Sequence, residues 1–227
     1  RYALNNQKIQ TELKNITVSE NDIRNRDSLL SMVIQESALK LAFSGEENIH
    51  EKVIQLFDES LALKEKIGDL QGIAINLGVR GSYNLYTRKD YSQAENYLNQ
   101  DLELVEKMGD DGARSGIMNK LASCYWEQSL LNKDETASIE LKRSAFDFAF
   151  EAFKIADHLE LVGDIVFSGM NVFRYATPLG ELTFVDTVGK KMNEPDLWAQ
   201  IHNPNLKKQL SDAIIESEKN WDSWEWI

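Results

Sequence analysis

Glu106-Lys107-Met108-Gly109-Asp110 decides how the chain folds. Ahead of it, Ala94, Leu98, Leu102 and Val105 recur at helical spacing, and Asp90-Tyr91-Ser92-Gln93 has capping-box spacing. The apolar stripe stops before Gly109. A glycine there supplies the left-handed backbone that ends a helix. Asp110 offers a carboxylate to the free N–H groups opening the next helix. These residues predict a helix, a tight joint and a second helix.

The same pattern recurs as Glu65-Lys66-Ile67-Gly68-Asp69 and as Glu160-Leu161-Val162-Gly163-Asp164. The three glycines are spaced by 41 and then 54 residues, the longer interval carrying an extra segment around Ser129 to Ser138. Helical stripes fill the intervals. Leu30, Ile34, Ala38 and Leu41 are followed by Val53, Leu56, Phe57, Ser60 and Leu61. Ala74, Leu77, Gly78, Gly81, Ser82 and Leu85 mark one face of a helix over 70–86. Ile117, Met118, Leu121, Ala122 and Tyr125 precede Ala145, Phe148, Ala149, Ala152, Phe153 and Ala156. There is no Asn-Gly turn and no long Val/Ile/Thr alternation, so strands are not expected. A recurring unit of this length means stacked supersecondary pieces, here helical hairpins.

Residues 1–26 are expected to be an N-terminal helix or the remnant of a preceding helical region, 27–175 the repeats, and 176–227 an irregular helical segment with a C-terminal cap. Pro178, Pro195 and Pro204 all lie beyond residue 177, where the regular pattern breaks. Residues 161–175 still read as the first helix of a fourth unit. A final helix from about Pro204 to Trp221 puts Leu206, Leu210, Ala213, Ile214 and Trp221 on one stripe, the one-sided apolarity of a terminal cap.

Composition excludes several function classes. The 227 residues are 42% apolar and 27% charged, the balance of a globular protein. Twenty-five Lys and Arg stand against 37 Asp and Glu, a net charge of −12. That argues against nucleic acid and against anionic membranes, which both need clustered positive charge. The single Cys124 rules out an intramolecular disulfide framework or a multi-cysteine metal site. No charge-free apolar run reaches transmembrane length, and Arg1 to Gln7 contain no apolar signal core. A cytoplasmic location is expected. The chain starts at Arg1 without a Met and is expected to be an excerpt or a processed product.

Several segments carry a family likeness. Leu121-Ala122-Ser123-Cys124-Tyr125-Trp126-Glu127-Gln128 resembles the first helix of a tetratricopeptide repeat, and Lys89-Asp90-Tyr91-Ser92-Gln93-Ala94-Glu95 resembles the turn and small residue opening the second. Ala145 and Ala152 match the second helix's two alanines, with Val53/Ser60 and Ala94/Asp101 as the corresponding pairs. The period resembles the longer variant of kinesin-light-chain-like and bacterial regulatory proteins more than the form of about 34 residues. The likeness covers roughly residues 27 to 175. Asp101 and Val53 depart from it, unit three carries the insertion, and no unit ends in the usual Pro. It implies an all-α, right-handed superhelical array of helical hairpins, an α-solenoid with a C-terminal capping helix. Helical hairpin arrays outside the family are the structural alternative.

Catalytic signals are weak. Glu47-Asn48-Ile49-His50 has the Glu-x-x-His spacing of a di-metal site, but such sites need two copies on facing helices and there is one. Asp157-His158 sits at a helix end, where the dipole favours a cationic side chain. Cys124 is most simply a small core residue. No phosphate loop, nucleophile elbow or Cys-x-x-Cys pair occurs. No enzyme activity, metal or cofactor is expected.

In tetratricopeptide arrays the first helices of the units line a concave groove. That register turns Asn76, Tyr83, Tyr86, Asn119, Trp126, Met170, Phe173 and Arg174 towards it. Aromatic rings with interleaved amides suit a protein or peptide ligand, because rings give area and Asn pairs with both C=O and N–H. The alternative is that several of the rings fill contacts between units. Arg80 and Lys120 do not reproduce the two-carboxylate clamp of chaperone-binding repeats. Trp198, Trp221, Trp224 and Trp226 crowd the C-terminal end, either packed on the last hairpin or forming a short docking motif. The expected function is a non-catalytic binding scaffold or regulatory module. The alternatives are a sensor for a small signalling peptide, or a substrate-recruiting domain of a larger enzyme.

Overall fold

The structure is a computed structural model that describes residues 8, 9, 11, 12, 20–44, 46 and 48–222. Most of the described residues are helical, with no strand among them. The chain divides into two compact units, residues 1–104 and 105–227.

The first unit contains α1 (Glu20–Ala42), preceded by helical residues 8, 9, 11 and 12, then α2 (His50–Ile67) and α3 (Leu70–Ser82), which continues as a π-helical turn (Tyr83–Arg88). Helix α4 (Tyr91–Met108) follows and carries the boundary between units. Ala38, Val53 and Phe57 of the predicted stripes are buried together, with Leu41 and Leu56 packed against them, and Tyr83, expected in the groove, joins this core. Burying such side chains contributes on the order of 1.5–3 kcal/mol each, which outweighs helix propensity in fixing the fold. Gly81 permits a close helix crossing, since a Cβ there would sit 2.6 Å from Leu98 Cγ.

Polar groups are also folded into this unit. Ser60 Oγ donates to Ser31 O at 2.8 Å. Asp27 is 1% exposed and accepts from Lys66 Nζ at 2.6 Å and Arg26 Nη2 at 2.7 Å. Burial alone would raise the Asp27 carboxyl, but hydrogen bonds from Lys66 and Arg26 hold it below the ordinary range.

The sequence predicts one continuous helix through residue 86, yet the α-pattern ends at Ser82. Asn84 explains the change, because its Nδ2 donates to the Arg80 carbonyl at 2.9 Å. That carbonyl is the one an α-helix would give to the Asn84 backbone N–H. The turn closes on Lys89, at φ 57°, with Asp90 N donating to Asn84 O at 3.0 Å.

The second unit comprises α5 (Asp111–Leu131), α6 (Glu135–His158), α7 (Val162–Ala176), a 3-10 turn (Thr177–Leu179), α8 (Leu182–Met192), α9 (Pro195–Gln200) and α10 (Pro204–Asp222). One apolar cluster holds Ala122 from α5, Ala145, Ala149 and Phe153 from α6, Val166, Val172 and Tyr175 from α7, Val188 and Met192 from α8, and Leu210 and Ile214 from α10. Of the expected stripe of the final helix, Leu210 and Ile214 are buried, and Leu206 and Ala213 are partly buried against the same cluster. The extra segment at 129–138 is used to lengthen helices: α5 and α6 run 21 and 24 residues and meet in a short joint. There Asp134 Oδ1 accepts from Ala137 N at 2.9 Å. Trp198 packs into the last part of the unit and donates from Nε1 to Met192 O at 2.7 Å. The Trp221 side chain, Trp224 and Trp226 lie outside the described residues.

The joints repeat a single geometry. Gly68 has φ 69° and Gly109 φ 70°. At each, the glycine N–H and the following Asp N–H turn back to carbonyls of the ending helix. The next helix is capped by that aspartate, Asp69 Oδ1 from Gly72 N at 2.8 Å and Asp110 Oδ1 from Ala113 N at 2.9 Å. The third joint departs from expectation. Gly163 and Asp164 lie inside α7, and the left-handed residue is Glu160, at φ 55°. Glu160 N donates to Asp157 O at 3.2 Å and Leu161 N to Ala156 O at 2.9 Å, the same pattern three residues earlier. Gly180, at φ 70°, repeats it again before α8.

Candidate functional site

Of the eight residues assigned to the groove, Asn76, Tyr83 and Tyr86 lie in the first unit. Asn76 is fully buried and its Nδ2 donates to Phe57 O at 3.2 Å, while its Oδ1 meets no hydrogen-bond partner among the described residues. Tyr83 is also interior. Its hydroxyl is 3.1 Å from His50 Nδ1 and the two rings stack with centroids 5.8 Å apart. Tyr86, on the π-helical turn, is 54% exposed.

The Glu-x-x-His segment is thereby placed. His50 opens α2 and packs on Tyr83, and burial followed by the Arg88 charge lowers its pKa. Glu47 lies outside the described residues. No group of three or more His, Cys, Asp and Glu among the described residues could hold a metal.

In the second unit Asn119 is 2% exposed, and neither its Oδ1 nor its Nδ2 meets a hydrogen-bond partner among the described residues. Trp126 is half-buried and stacks on Tyr175, with centroids 4.8 Å apart and planes inclined by 26°. Met170 is half-buried against the apolar cluster, Phe173 is inside it and Arg174 is exposed.

These contacts define a seam between α5 and α7. Asn119 and Trp126 are seven residues apart, nearly two helical turns, so they share a stripe of α5. On α7, Asp164, Ser168, Asn171 and Tyr175 follow the i, i+4, i+7, i+11 spacing of one stripe. The two stripes are joined at one end by the Trp126–Tyr175 stack. Towards the other end, burial raises the Asp164 pKa and the Lys120 charge partly offsets it. Asn171 is 6% exposed, and its Nδ2 also meets no partner among the described residues.

The seam thus collects amide donors and an acceptor without internal partners, a half-buried carboxylate and an aromatic platform. Leaving a buried polar atom unpaired costs roughly 1–3 kcal/mol, so three such atoms on facing helices are an expensive feature. Chemically, Asn119 offers one acceptor and two donors, and Asn171 adds donors. That combination matches a peptide main chain, which exposes C=O and N–H alternately.

Of this set, Asn119 and Trp126 were in the predicted groove and Asn171, Asp164 and Tyr175 were not. Their spacing was legible as a stripe. The repeated Gly-Asp pattern drew Asp164 into a capping role that the structure gives to no side chain, since Leu161 precedes α7 without a side-chain cap.

No protein-family model matches the chain, and no curated protein matches it.

Proposed function

We propose that the protein is a non-catalytic binding module of tetratricopeptide-like helical hairpins, and that the α5–α7 seam takes an extended segment of a protein or peptide. The observation that carries this reading is Asn119, 2% exposed with both polar atoms of its amide unpaired among the described residues. It shares a stripe with Trp126, and Asn171 on the facing helix adds another unpaired amide nitrogen. A helical ligand satisfies its own main chain, whereas an extended one brings free N–H and C=O groups that such amides can pair when the α5–α7 seam opens to admit it, since both amides are closed to solvent at 2% and 6% exposure. Trp126 then supplies a flat apolar contact beside the amides. The recurrent joints and the packing of successive helices support the hairpin array, with α10 as its terminal cap.

The test is a panel of linear peptides selected from a random display library against the whole chain. Selected peptides should lose at least about tenfold in affinity for Asn119→Leu and for Asn171→Leu. The helical circular-dichroism signal should be unchanged in both. Full affinity for the folded variants would overturn the seam as the site.

A further inference from the structure

Helix α1 is apolar on two faces. Leu30, Ile34, Ala38 and Ala42 are buried at 5% exposure or less. On another face Leu29, Met32 and Phe43 are 53%, 61% and 65% exposed. Phe43 stays in register beyond the helix end, because its N–H still donates to Leu39 O at 3.2 Å. Between these apolar residues sit Glu36 and Lys40, ion-paired at 2.9 Å. Large apolar side chains on a solvent face are the mark of an interaction surface when they fall on one stripe.

The order of this stripe says which partner fits it. Leu29, Met32, Glu36, Lys40 and Phe43 stand at −7, −4, 0, +4 and +7 about Glu36. The spacing is palindromic, so an antiparallel copy of α1 crossing at Glu36 meets it in register. Leu29 then faces Phe43 of the second copy, and Met32 lies under the aliphatic stem of its Lys40, and the reverse holds for the other copy. The two Glu36 and two Lys40 gather around the axis with zero net charge. This is the self-complementarity a two-fold interface requires. A chain of net charge −12 repels its copies at most other faces, which a charge-balanced patch does not. We infer that α1 is a homodimerisation surface, pairing antiparallel with α1 of a second copy of this chain through Leu29, Met32 and Phe43 around a Glu36/Lys40 cluster.

The stripe is about 21 Å long at 1.5 Å per residue, one helix pair only. Such an interface is at the small end for stable complexes, so the dimer is reversible and its population depends on concentration. Sedimentation equilibrium of the whole chain should show a concentration-dependent dimer. Met32→Glu should weaken it at least about tenfold, with an unchanged circular-dichroism spectrum. The charge cluster gives an independent reading. Glu36→Lys places four cations at the axis and Lys40→Glu four carboxylates, so each variant alone should be monomeric and an equimolar mixture should dimerise. A parent chain that stays monomeric to about 500 µM overturns the inference. So does a dimer indifferent to Met32→Glu, or a mixture that associates no better than its separate components.

Discussion

Trp126 lies on Tyr175 with ring centroids 4.8 Å apart, one ring half-buried and the other 1% exposed. The pair ties α5 to α7 at one end of the amide-lined seam. A stacked pair contributes about 0.5–1.5 kcal/mol beyond the area it buries. A double-mutant cycle of Trp126→Leu and Tyr175→Leu should return a coupling energy in that range by urea denaturation. Additive losses would mean that each ring packs independently and that the seam is not fastened there.

Asn119 should show opposite effects on stability and on binding. Leucine keeps the branched shape, with bulkier methyl groups in place of two polar atoms that find no partner among the described residues. Asn119→Leu is therefore expected to stabilise the chain by ~1 kcal/mol while losing the peptide affinity described above. Denaturation midpoints at matched m-values check the first half. Destabilisation by more than ~1 kcal/mol would show that the amide is held by its surroundings and does not await a ligand.

The joints allow a test with opposed signs. Gly109, at φ 70°, occupies backbone that β-branched residues tolerate poorly, so Gly109→Val should cost more than ~1 kcal/mol. Glu160 occupies the same region at φ 55° with a side chain attached. Glu160→Gly should relieve that strain and leave stability unchanged or raised by up to ~1 kcal/mol. Thermal melting of the two variants separates a shared joint geometry from two unrelated turns.

Glu160 also shows where reading the chain stops. Helices, stripes and two joints were legible because glycine at a left-handed position and an aspartate cap are local chemistry. At the third joint the left-handed residue is not a glycine, and the nearby Gly163-Asp164 imitates the signal from inside α7. The π-helical turn was hidden for a similar reason. It depends on the Asn84 side chain competing for the Arg80 carbonyl, which no apolar period records. For the seam, residue types on each helix were visible, but their facing partners depend on how α5 and α7 pack. Asn171 and Tyr175 join the candidate site only through that packing. Burial of Asn76 and Tyr83 was likewise set by helix contacts rather than by residue type.

Lys64 was absent from every predicted core stripe, and its burial sets up the last prediction. It is 3% exposed, and its Nζ donates to Gln35 Oε1, which Asn76 Nδ2 approaches at 3.5 Å. Burial lowers its pKa from 10.5 to about 8, with the Asp69 charge opposing the shift. Between these values the unfolded chain holds a proton that the folded one has released. Stability must therefore rise with pH across that window and be insensitive to this group below it. A difference of 2.5 units between 10.5 and about 8 corresponds to an upper value of roughly 3 kcal/mol. Lys64→Met removes the buried ammonium and keeps most of the stem. It should be more stable than the parent at pH 7, and the gap should shrink towards pH 10.5. Denaturation of both chains across that range checks it, and a gap that stays constant with pH would show that Lys64 keeps its proton when buried.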